Sequence, residues 1–170
     1  MKIFYEAYLS IGGNLGNRLQ NIYDTHKLVK QQLGLINDYS PIYISEPWGF
    51  THKKYFLNQI IKIESNLSTE FLLKQLQSIE KELGRQKNIT NNYQGRTVDI
   101  DIISLNNIII NKPEFKVPHP HLSKRLFVLL PLYDICPYWQ HPIFNKPINL
   151  LIKHCPDKSQ IRKLNCLRHE

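Results

Sequence analysis

Two amphipathic segments, each bounded by a capping residue and a glycine, constrain the fold of this chain more than any other feature. Asn17 and Ser68 precede these segments, and Gly34 and Gly84 follow them. Such residues are typical of helix N-caps and C′ positions. Segments with strand character flank both helices, in the order strand, helix, strand, strand, helix, strand. This order predicts an α+β fold, a ferredoxin-like split βαβ sandwich in which an antiparallel sheet has both helices packed on one face.

The other predicted elements follow from alternation and turn residues. The predicted strands are 6–11, 39–45, 56–63 and 97–105, and short helices are expected at 123–130 and 148–153. Pro41 indicates an edge position for the second strand, and Asn106 with Asn107 predicts a hairpin turn into a strand at 108–110. Polar loops of about ten residues are expected at 46–55 and 85–96, and loops of that length often carry functional residues.

The net charge of +8 is concentrated near the C-terminus. Residues 145–170 hold six lysines and arginines against two acidic residues, while the first 144 residues hold 16 against 12. Half of the excess therefore lies on a short segment, which fits small anionic substrates and a basic tail better than an extended nucleic-acid-binding face. We predict a single domain over residues 1–150 and a basic, solvated C-terminal extension over residues 151–170.

Composition excludes several classes of protein. Apolar residues make up 42% and charged residues 21% of the chain, which argues against intrinsic disorder. No apolar run reaches the roughly 20 residues that a membrane-spanning helix needs, and the N-terminus lacks signal-peptide features. We therefore expect a cytoplasmic protein without a membrane partner. Cys136, Cys155 and Cys166 lie at long spacings with no C-x-x-C pair, which predicts reduced thiols rather than disulfides or a zinc site.

The strand at 97–105 carries two aspartates in a D-x-D pattern. Alternation places Asp99 and Asp101 on one face, roughly 7 Å apart, with apolar residues on the other. Two such carboxylates repel each other, and divalent cations that are shared with substrate phosphates can neutralise them, Mg²⁺ being the usual choice. The alternative is a solvent-facing sheet edge with two aspartates of no special role.

Cationic residues surround this strand in the sequence. Arg85 follows the second helix, and Arg96 begins the strand. Others come from further loops: Lys87, His119, His121, Lys124 and Arg125. Arginines around a two-carboxylate metal site are what phosphoryl transfer requires, since they bind phosphate oxygens in pairs and stabilise developing charge. Each cation considered singly is better explained as a solvated surface charge.

A glycine-rich loop and several aromatic residues suggest a ligand beside the phosphates. Residues 12–17, GGNLGN, lie between a strand and a helix but match neither a Rossmann nor a P-loop pattern. A phosphate cradle and close backbone approach to a planar ligand both remain open. Trp48, Phe50, Tyr55, Phe56 and Phe127 lie near the long loops. Two of them could sandwich a heterocycle whose edge Asn58 binds, or they could pack in the core.

Several stretches together resemble one family, 6-hydroxymethyl-7,8-dihydropterin pyrophosphokinase. The matching stretches are SIGGNLG at 10–16, SEPWG at 45–49, FLN at 56–58, EKELGR at 80–85, GRTVDIDI at 95–102, VPHPH at 117–121 and RLFVLLPL at 125–132. The resemblance implies transfer of diphosphate from ATP to the hydroxymethyl group of the pterin, with release of AMP, in tetrahydrofolate biosynthesis. It also implies two Mg²⁺ ions and, as an expectation, functional association with other folate-pathway enzymes.

The same resemblance assigns roles by position. Asp99 and Asp101 would hold the metal ions, and Arg85 and Arg96 would bind phosphates as catalytic residues. The nucleotide-binding residues would be His119, Arg125, Gln77 and Glu80. The pterin-binding residues would be Phe56 and Phe127 on its faces, Asn58 on its edge, and Gly12, Ser45 and Trp48 around it.

Two departures from the family pattern and two rival readings stay open at this stage. Tyr93-Gln94-Gly95 replaces an aromatic-Gly-Pro sequence, and His121 replaces a frequent arginine, which questions a positive charge there at neutral pH. A nucleic-acid-binding module can share this sheet topology, but unneutralised Asp99 and Asp101 would repel phosphates. A catalytically inactive relative would not need the retained cations and carboxylates.

Overall fold

A computed structural model describes residues 4–85 and 95–164. The strands are β1 (Tyr5–Gly13), β2 (Ile36–Tyr39), β3 (Tyr43–Ser45), β4 (Phe56–Ser65), β5 (Asp99–Leu105), β6 (Ile110–Lys112), β7 (Phe115–Val117) and β8 (Ile161–Lys163). The helices are α1 (Arg18–Gln32), α2 (Thr69–Glu82), α3 (Leu126–Ile135) and α4 (Ile148–Lys153), with a 3₁₀ turn at Leu122–Lys124. The predicted helix caps are confirmed, since Asn17 accepts a hydrogen bond from the Gln20 N–H and Ser68 accepts one from the Phe71 N–H.

The main sheet is antiparallel at every pairing described. Its strands run in the order β5-β1-β4-β3-β8, and β2 pairs with β4 alongside β3. This confirms an α+β protein with an antiparallel sheet and packed helices. The long central strands β1 and β4 pair from Tyr5 opposite Ser65 to Gly13 opposite Leu57, so they form a rigid base for residues at either end.

Helices α1 and α2 cover one face of the sheet, here called the back face. The helices contribute Ile22, Val29, Leu72, Leu76 and Ile79 to the core, and the strands contribute Ala7, Leu9, Ile11, Ile61, Ile63, Ile100, Ile102 and Leu105. All are buried. Because side chains alternate along a strand, every second residue of β1, β4 and β5 points away from these helices.

The opposite, front face of the sheet is covered only in part. Tyr8, Ile60 and Ile103 form a second apolar cluster with residues of α3 and α4. The helical segments supply Leu122, Val128, Leu129, Leu132, Ile148 and Leu151, with Trp139 and Cys155 nearby. Further along the same strands, the front-facing residues are polar or small, and the helices do not cover them. This uncovered end is where the candidate site lies.

Two strand predictions were wrong in detail. The strand expected at 39–45 is divided into β2 and β3, because Pro41, which has no N–H group, lies in the break. Next to it, the Ser40 N–H donates to the Ile60 carbonyl at 2.9 Å, while the Ile60 N–H donates to the Ser40 hydroxyl at 2.9 Å. The edge position expected there holds for β2 but not for β3, which pairs with β8 on its outer side. The hairpin partner expected for β5 instead forms a separate two-stranded sheet, in which β6 pairs with β7.

Residues 151–164 are not a solvated tail, contrary to the sequence prediction. Helix α4 crosses residue 150, Cys155 and Asp157 are buried, and β8 extends the main sheet. The remaining residues of the extension, 165–170, lie outside the described residues. Apolar contacts explain why this segment packs on the fold. Leu151 and Cys155 belong to the second apolar cluster, on the front face of the sheet, although lysines lie close to them in the sequence.

The described part of the chain also shows the state of two cysteines and the character of the helices. Cys136 and Cys155 are free thiols, while Cys166 lies outside the described residues. No helix among residues 4–85 and 95–164 combines the length and the apolar character needed to cross a membrane.

Candidate active site

The two aspartates of β5 face the uncovered end of the front face. Asp99 pairs in register with Gly12 of β1, and Asp101 pairs with Ser10. Gly12 in turn pairs with Asn58 of β4. Although β5 is an edge strand, both carboxylates line a pocket that loop residues also line, so the reading of a plain solvent-facing edge is wrong.

The pocket gathers most of the site residues predicted from the sequence. It encloses about 540 Å³ between protein atoms, including its open mouth. Its walls are Ser10, Gly12, Ser45, Glu46, Trp48, Phe50, Phe56, Asn58, Arg96, Asp99, Asp101, Arg125 and Phe127. The sheet forms the floor, the loop after β3 forms one wall, and the start of α3 forms the other. The predicted site residues did not include Ser10 and Glu46, which also line the pocket.

Two arginines hold Asp99. Arg85 Nη1 lies 2.7 Å from Asp99 Oδ1, and Arg96 Nη1 forms an ion pair with Asp99 Oδ2. Arg85 also pairs with buried Glu80, whose Oε1 accepts from the Ile100 N–H at 2.7 Å. Burial raises the pKa of Glu80 to about 7. The positive charge of Arg85 opposes this shift, and the negative charge of Asp99 adds to it. Glu80 therefore supports Arg85 from behind the pocket.

Asp101 has weaker partners than Asp99. Its Oδ2 lies 3.7 Å from Arg125 Nη1 and 3.8 Å from His119 Nε2. Its side chain keeps 36% exposure toward the pocket. Even so, the surrounding protein excludes water from the carboxyl group of Asp101, and this desolvation, together with the charge of Asp99, raises the pKa of Asp101 to about 7. The positive charges of Arg125, Arg96 and Arg85 oppose the shift. A carboxylate pair in this state would be stabilised by added positive charge.

His119 is neutral at pH 7 in this arrangement. Burial, followed by the charge of Arg125, lowers the pKa of His119 to about 4. Its Nδ1 accepts from the His121 N–H at 3.1 Å, which leaves the proton on Nε2, facing Asp101. Burial and Arg125 also lower the pKa of His121, which agrees with the expectation that His121 carries no charge at neutral pH.

Arg125 lies between two aromatic rings at the start of α3. Its guanidinium carbon is 4.6 Å from the ring centroid of Trp48 and 5.7 Å from that of Phe127. Its Nε is buried and has no hydrogen-bond partner among the described residues. Since a buried guanidinium donor without a partner is costly, this side chain is suited to receive an anionic ligand.

The aromatic side of the pocket contains an oriented amide. Asn58 donates from Nδ2 to the Ser45 hydroxyl at 2.8 Å, which directs its Oδ1 toward Gly12. A Cβ atom on Gly12 would lie 2.9 Å from that oxygen, so glycine leaves the amide edge accessible. Phe56 and Phe127 line the same pocket, as a sandwich for a planar ring would require.

The glycine-rich loop does not form a phosphate cradle. The N–H groups of Asn14 and Leu15 both donate to the carbonyl of Arg96, at 3.0 and 3.1 Å. A Cβ on Gly13 would lie 2.2 Å from the Thr97 carbonyl oxygen. The second glycine therefore permits close approach of the chain's own backbone, and the first borders the pocket.

Asn14 is a site residue that sequence reasoning missed. Its buried side chain accepts from the Arg96 N–H at 2.9 Å through Oδ1. Its Nδ2 lies 3.0 Å from Nδ1 of His52, in the loop after β3. Asn14 thus joins the two segments that carry Arg96 and Trp48. The only signal in the sequence was a polar residue after two glycines, because its partners are 38 and 82 positions away.

Other predicted residues lie apart from the pocket. His119 borders a neighbouring hollow together with Asp101, Leu73, Ile100 and Phe115. Gln77 is exposed on α2 and lines neither the pocket nor this hollow, so the structure does not bring it together with the other site residues. Lys124 is exposed. Lys87, Tyr93 and Gln94 lie outside the described residues.

A family model for 7,8-dihydro-6-hydroxymethylpterin-pyrophosphokinase (HPPK) matches residues 8–137. The chain belongs to the HPPK family. Two HPPK relatives are named 2-amino-4-hydroxy-6-hydroxymethyldihydropteridine pyrophosphokinase. The protein of Porphyromonas gingivalis is 38% identical over 139 residues, which cover 80% of this chain and 93% of the relative. The protein of Aquifex aeolicus is 36% identical over 142 residues, which cover 84% and 87%. The family assignment made from the sequence is therefore confirmed.

The fold of the HPPK chain is also found in solved structures. Wild-type Plasmodium falciparum HPPK-DHPS with pteroate superposes with a TM-score of 0.72 at 15% identity. The match covers 90% of this chain, which spans only 44% of the length of the Plasmodium chain. At this identity the likeness establishes the fold alone.

Proposed function

We propose that this chain transfers diphosphate from ATP to the hydroxymethyl group of 6-hydroxymethyl-7,8-dihydropterin, releasing AMP, in tetrahydrofolate biosynthesis. The observation that carries the proposal is the pocket itself, which joins two carboxylates and two arginines to an aromatic cleft with an oriented amide, while Arg85 pairs with one of the carboxylates. Family membership and the named relatives support the same activity. A sheet of this strand order with both long helices on one face supports the finer description as a ferredoxin-like split βαβ sandwich.

The pterin binds at the aromatic end of the pocket. Phe56 and Phe127 hold the two faces of the ring, and the Asn58 amide pairs with its edge, supported by the Ser45 hydroxyl. Gly12 and Trp48 close the cleft around it. This placement directs the hydroxymethyl group toward the carboxylates of β5.

ATP binds on the other side of the carboxylates. Arg125 and His119 contact the phosphates from the α3 side, and Arg85 and Arg96 contact them from the segment before β5. Glu80 supports the nucleotide side indirectly through Arg85, and Gln77, which lies apart from the pocket, is left out of this assignment.

The carboxylates suit Mg²⁺ better than a metal held by protein alone. Among the described residues no cluster of three or more histidine, cysteine and acidic side chains gathers around one point. Mg²⁺ is usually bound through one or two carboxylates and substrate phosphates, and the raised pKa of Asp101 marks a place where positive charge is favourable. Asp99 and Asp101 would hold the two expected ions, which supply charge neutralisation to the phosphate oxygens and lower the pKa of a bound hydroxyl.

The protein contributes positioning and electrostatics. In the transfer, the hydroxymethyl oxygen gives up its proton to solvent and forms a bond to the β-phosphorus, while the bond from that phosphorus to the bridging oxygen of AMP breaks. Arg85 and Arg96 must leave or share Asp99 to reach the phosphates, so ligand binding is coupled to movement of these two side chains. The pocket walls hold the pterin hydroxyl in line with the bond that breaks, which lowers the entropic part of the barrier.

The remaining expectations form part of the same proposal. Residues 1–150 make up the pyrophosphokinase domain, and 151–170 are a basic extension whose first part joins the fold. The protein acts in the cytoplasm, without nucleic-acid or membrane partners. Association with other folate-pathway enzymes is supported by the joining of HPPK to a second unit in the Plasmodium HPPK-DHPS chain.

The deciding experiment identifies the nucleotide product. Purified protein is incubated with ATP, Mg²⁺ and 6-hydroxymethyl-7,8-dihydropterin, and nucleotides are separated by chromatography. We expect AMP and pterin diphosphate in equal amounts, with no AMP when the pterin is omitted. Formation of ADP would indicate an ordinary kinase, and the absence of any nucleotide product would contradict the proposed activity.

A further inference from the structure

The segment from Cys155 to Lys163, here called the C-terminal strap, lies beyond the part of the chain that the HPPK family model matches. The strap leaves the end of α4, passes the start of α3, and ends in β8 of the main sheet. At one end the strap therefore contacts α3, whose first residues form one wall of the pocket. At the other end it contacts β3, which carries Ser45.

Asp157 connects the strap to α3. Its Oδ2 accepts from the N–H of Leu126, the first residue of the helix, at 3.0 Å. Its Oδ1 accepts from the Ser159 N–H at 3.0 Å and from the Ser159 hydroxyl at 2.6 Å. The residue is only 9% exposed, so its carboxylate is oriented on both sides.

Helix α3 has no cap of its own. Arg125 occupies the N-cap position and makes no side-chain capping bond there, because a guanidinium has no acceptor atom for the helix N–H groups. The first N–H groups of a helix have no partner within the helix, and a carboxylate near them is favourable. Asp157 supplies that carboxylate from 31 positions away.

The capped residue lies between two pocket residues. Arg125 and Phe127 flank Leu126, and both side chains line the pocket. The Arg125 backbone is extended, with φ −126° and ψ 103°, and its carbonyl accepts from the N–H groups of Val128 and Leu129 at 3.1 Å. Asp157 thus fixes the peptide group between Arg125 and Leu126, and the position of that peptide group sets the directions of the Arg125 and Phe127 side chains.

The other end of the strap is attached independently. Ile161 pairs with Ser45 in register, and the Leu164 N–H donates to the Ile42 carbonyl at 2.7 Å. Lys163 Nζ lies 3.0 Å from Asp134 Oδ1. These contacts hold the strap in place whether or not Asp157 caps α3, so the two attachments can be tested separately.

We propose that Asp157 is a positioning residue of the active site, which holds the first turn of α3 so that Arg125 and Phe127 face the phosphates and the pterin. The inference rests on the proposed function, since it assigns the two side chains to those ligands. Without the cap, the first turn of α3 populates several arrangements, of which only one binds the ligands well. The apparent affinity is then the intrinsic affinity multiplied by the fraction of protein in that arrangement. A residue that only stabilised the fold would leave the affinity of the folded protein unchanged.

The test compares Asp157→Ala with Lys163→Ala, which breaks the exposed ion pair to Asp134 in the last turn of α3 and leaves the Asp157 bond to the first turn in place. Affinity for 6-hydroxymethylpterin is measured by its fluorescence, and KM and kcat are measured by AMP release, at a temperature where circular dichroism shows all proteins folded. For Asp157→Ala we expect affinity about fivefold weaker and KM raised for both substrates. Lys163→Ala should stay within about twofold of wild type. Asp157→Asn should lose less than Asp157→Ala, since asparagine keeps an oxygen for the Leu126 N–H but places its NH₂ group, a donor, opposite the Ser159 N–H.

Three results would overturn the proposal: folded Asp157→Ala with unchanged affinity, an equal loss in Lys163→Ala, or a loss in Asp157→Asn as large as that in Asp157→Ala. If Asp157→Ala does not fold, Asp157→Glu replaces it. Its longer side chain keeps the charge but displaces Leu126, and affinity unchanged from wild type would again refute positioning. A wild-type protein that forms no AMP would refute the proposed function, whereas an active wild type with an unaffected Asp157→Ala would refute the positioning role alone.

Discussion

At the two ends of the front face, the same three strands, β1, β4 and β5, carry side chains of opposite character. At one end, Tyr8, Ile60 and Ile103 are apolar and lie under α3 and α4. At the other end, two to four residues further along, Gly12, Asn58 and Asp101 line an open pocket. The boundary shows that the second layer of helices ends where the front-facing side chains change from apolar to polar.

This difference has a physical cause. Burying aspartates under an apolar helix would cost their hydration without compensation, whereas burying isoleucines is favourable. Loops that carry arginines and aromatic rings cover the polar end instead, and they leave room for ligands. The strands provide a rigid base to both ends, so that changes at one end can be separated experimentally from changes at the other.

The largest expected effect is at the polar end. Asp99→Ala and Asp101→Ala should each reduce AMP formation by about a thousandfold or more, because the metal ions lose their protein ligands. The fold should survive, since neither residue belongs to an apolar cluster. Circular dichroism and the AMP assay measure the two properties, with Asp38→Ala on exposed β2 as the control. Near-normal turnover in either variant would contradict the metal assignment.

The covered end should respond in the opposite way. Ile103→Ala removes a fully buried side chain and should lower the free energy of unfolding by about 2–5 kcal/mol. The protein that remains folded should keep its kcat. Urea denaturation and the AMP assay well below the melting temperature test this, and Ile109→Ala, at a site that is 55% exposed, is the matched control. A large fall in kcat with unchanged stability would show that the two ends are not separable.

The arginines sharpen the comparison within the polar end. Arg85→Ala and Arg96→Ala should lower kcat by about a hundredfold, because they stabilise charge on the phosphates. Pterin affinity should change little. Lys74→Ala, exposed on α2, serves as the control in steady-state kinetics and pterin titration. If only pterin affinity changed, the arginines would have to be reassigned to the aromatic side.

Gly12→Ala should have the smallest effect. The added methyl group would lie 2.9 Å from Asn58 Oδ1, so we expect pterin affinity about tenfold weaker and kcat at saturation nearly unchanged. The variant Gly12→Ala combined with Asn58→Ala should bind no more weakly than Asn58→Ala alone. Additive losses in this double variant would mean that the methyl group acts on some other contact.

Local sequence was sufficient for the elements and for part of the site. Asn17 and Ser68 predicted both helix starts, and alternation predicted that Asp99 and Asp101 share a face. These features depend on neighbouring residues and on the period of a strand or helix. The division of 39–45 and the pairing of β6 with β7 were missed, because several strands with similar patterns compete for each partner.

By itself, the sequence determined which chemical groups are present, on which face of which element they stand, and which family they resemble. Only the tertiary structure decided which distant groups meet. It brought Asn14 to both Arg96 and His52, placed Arg125 over Trp48, and attached Asp157 to the start of α3. The reason is that propensity and periodicity act over a few residues, whereas these contacts depend on packing the whole chain around two apolar clusters.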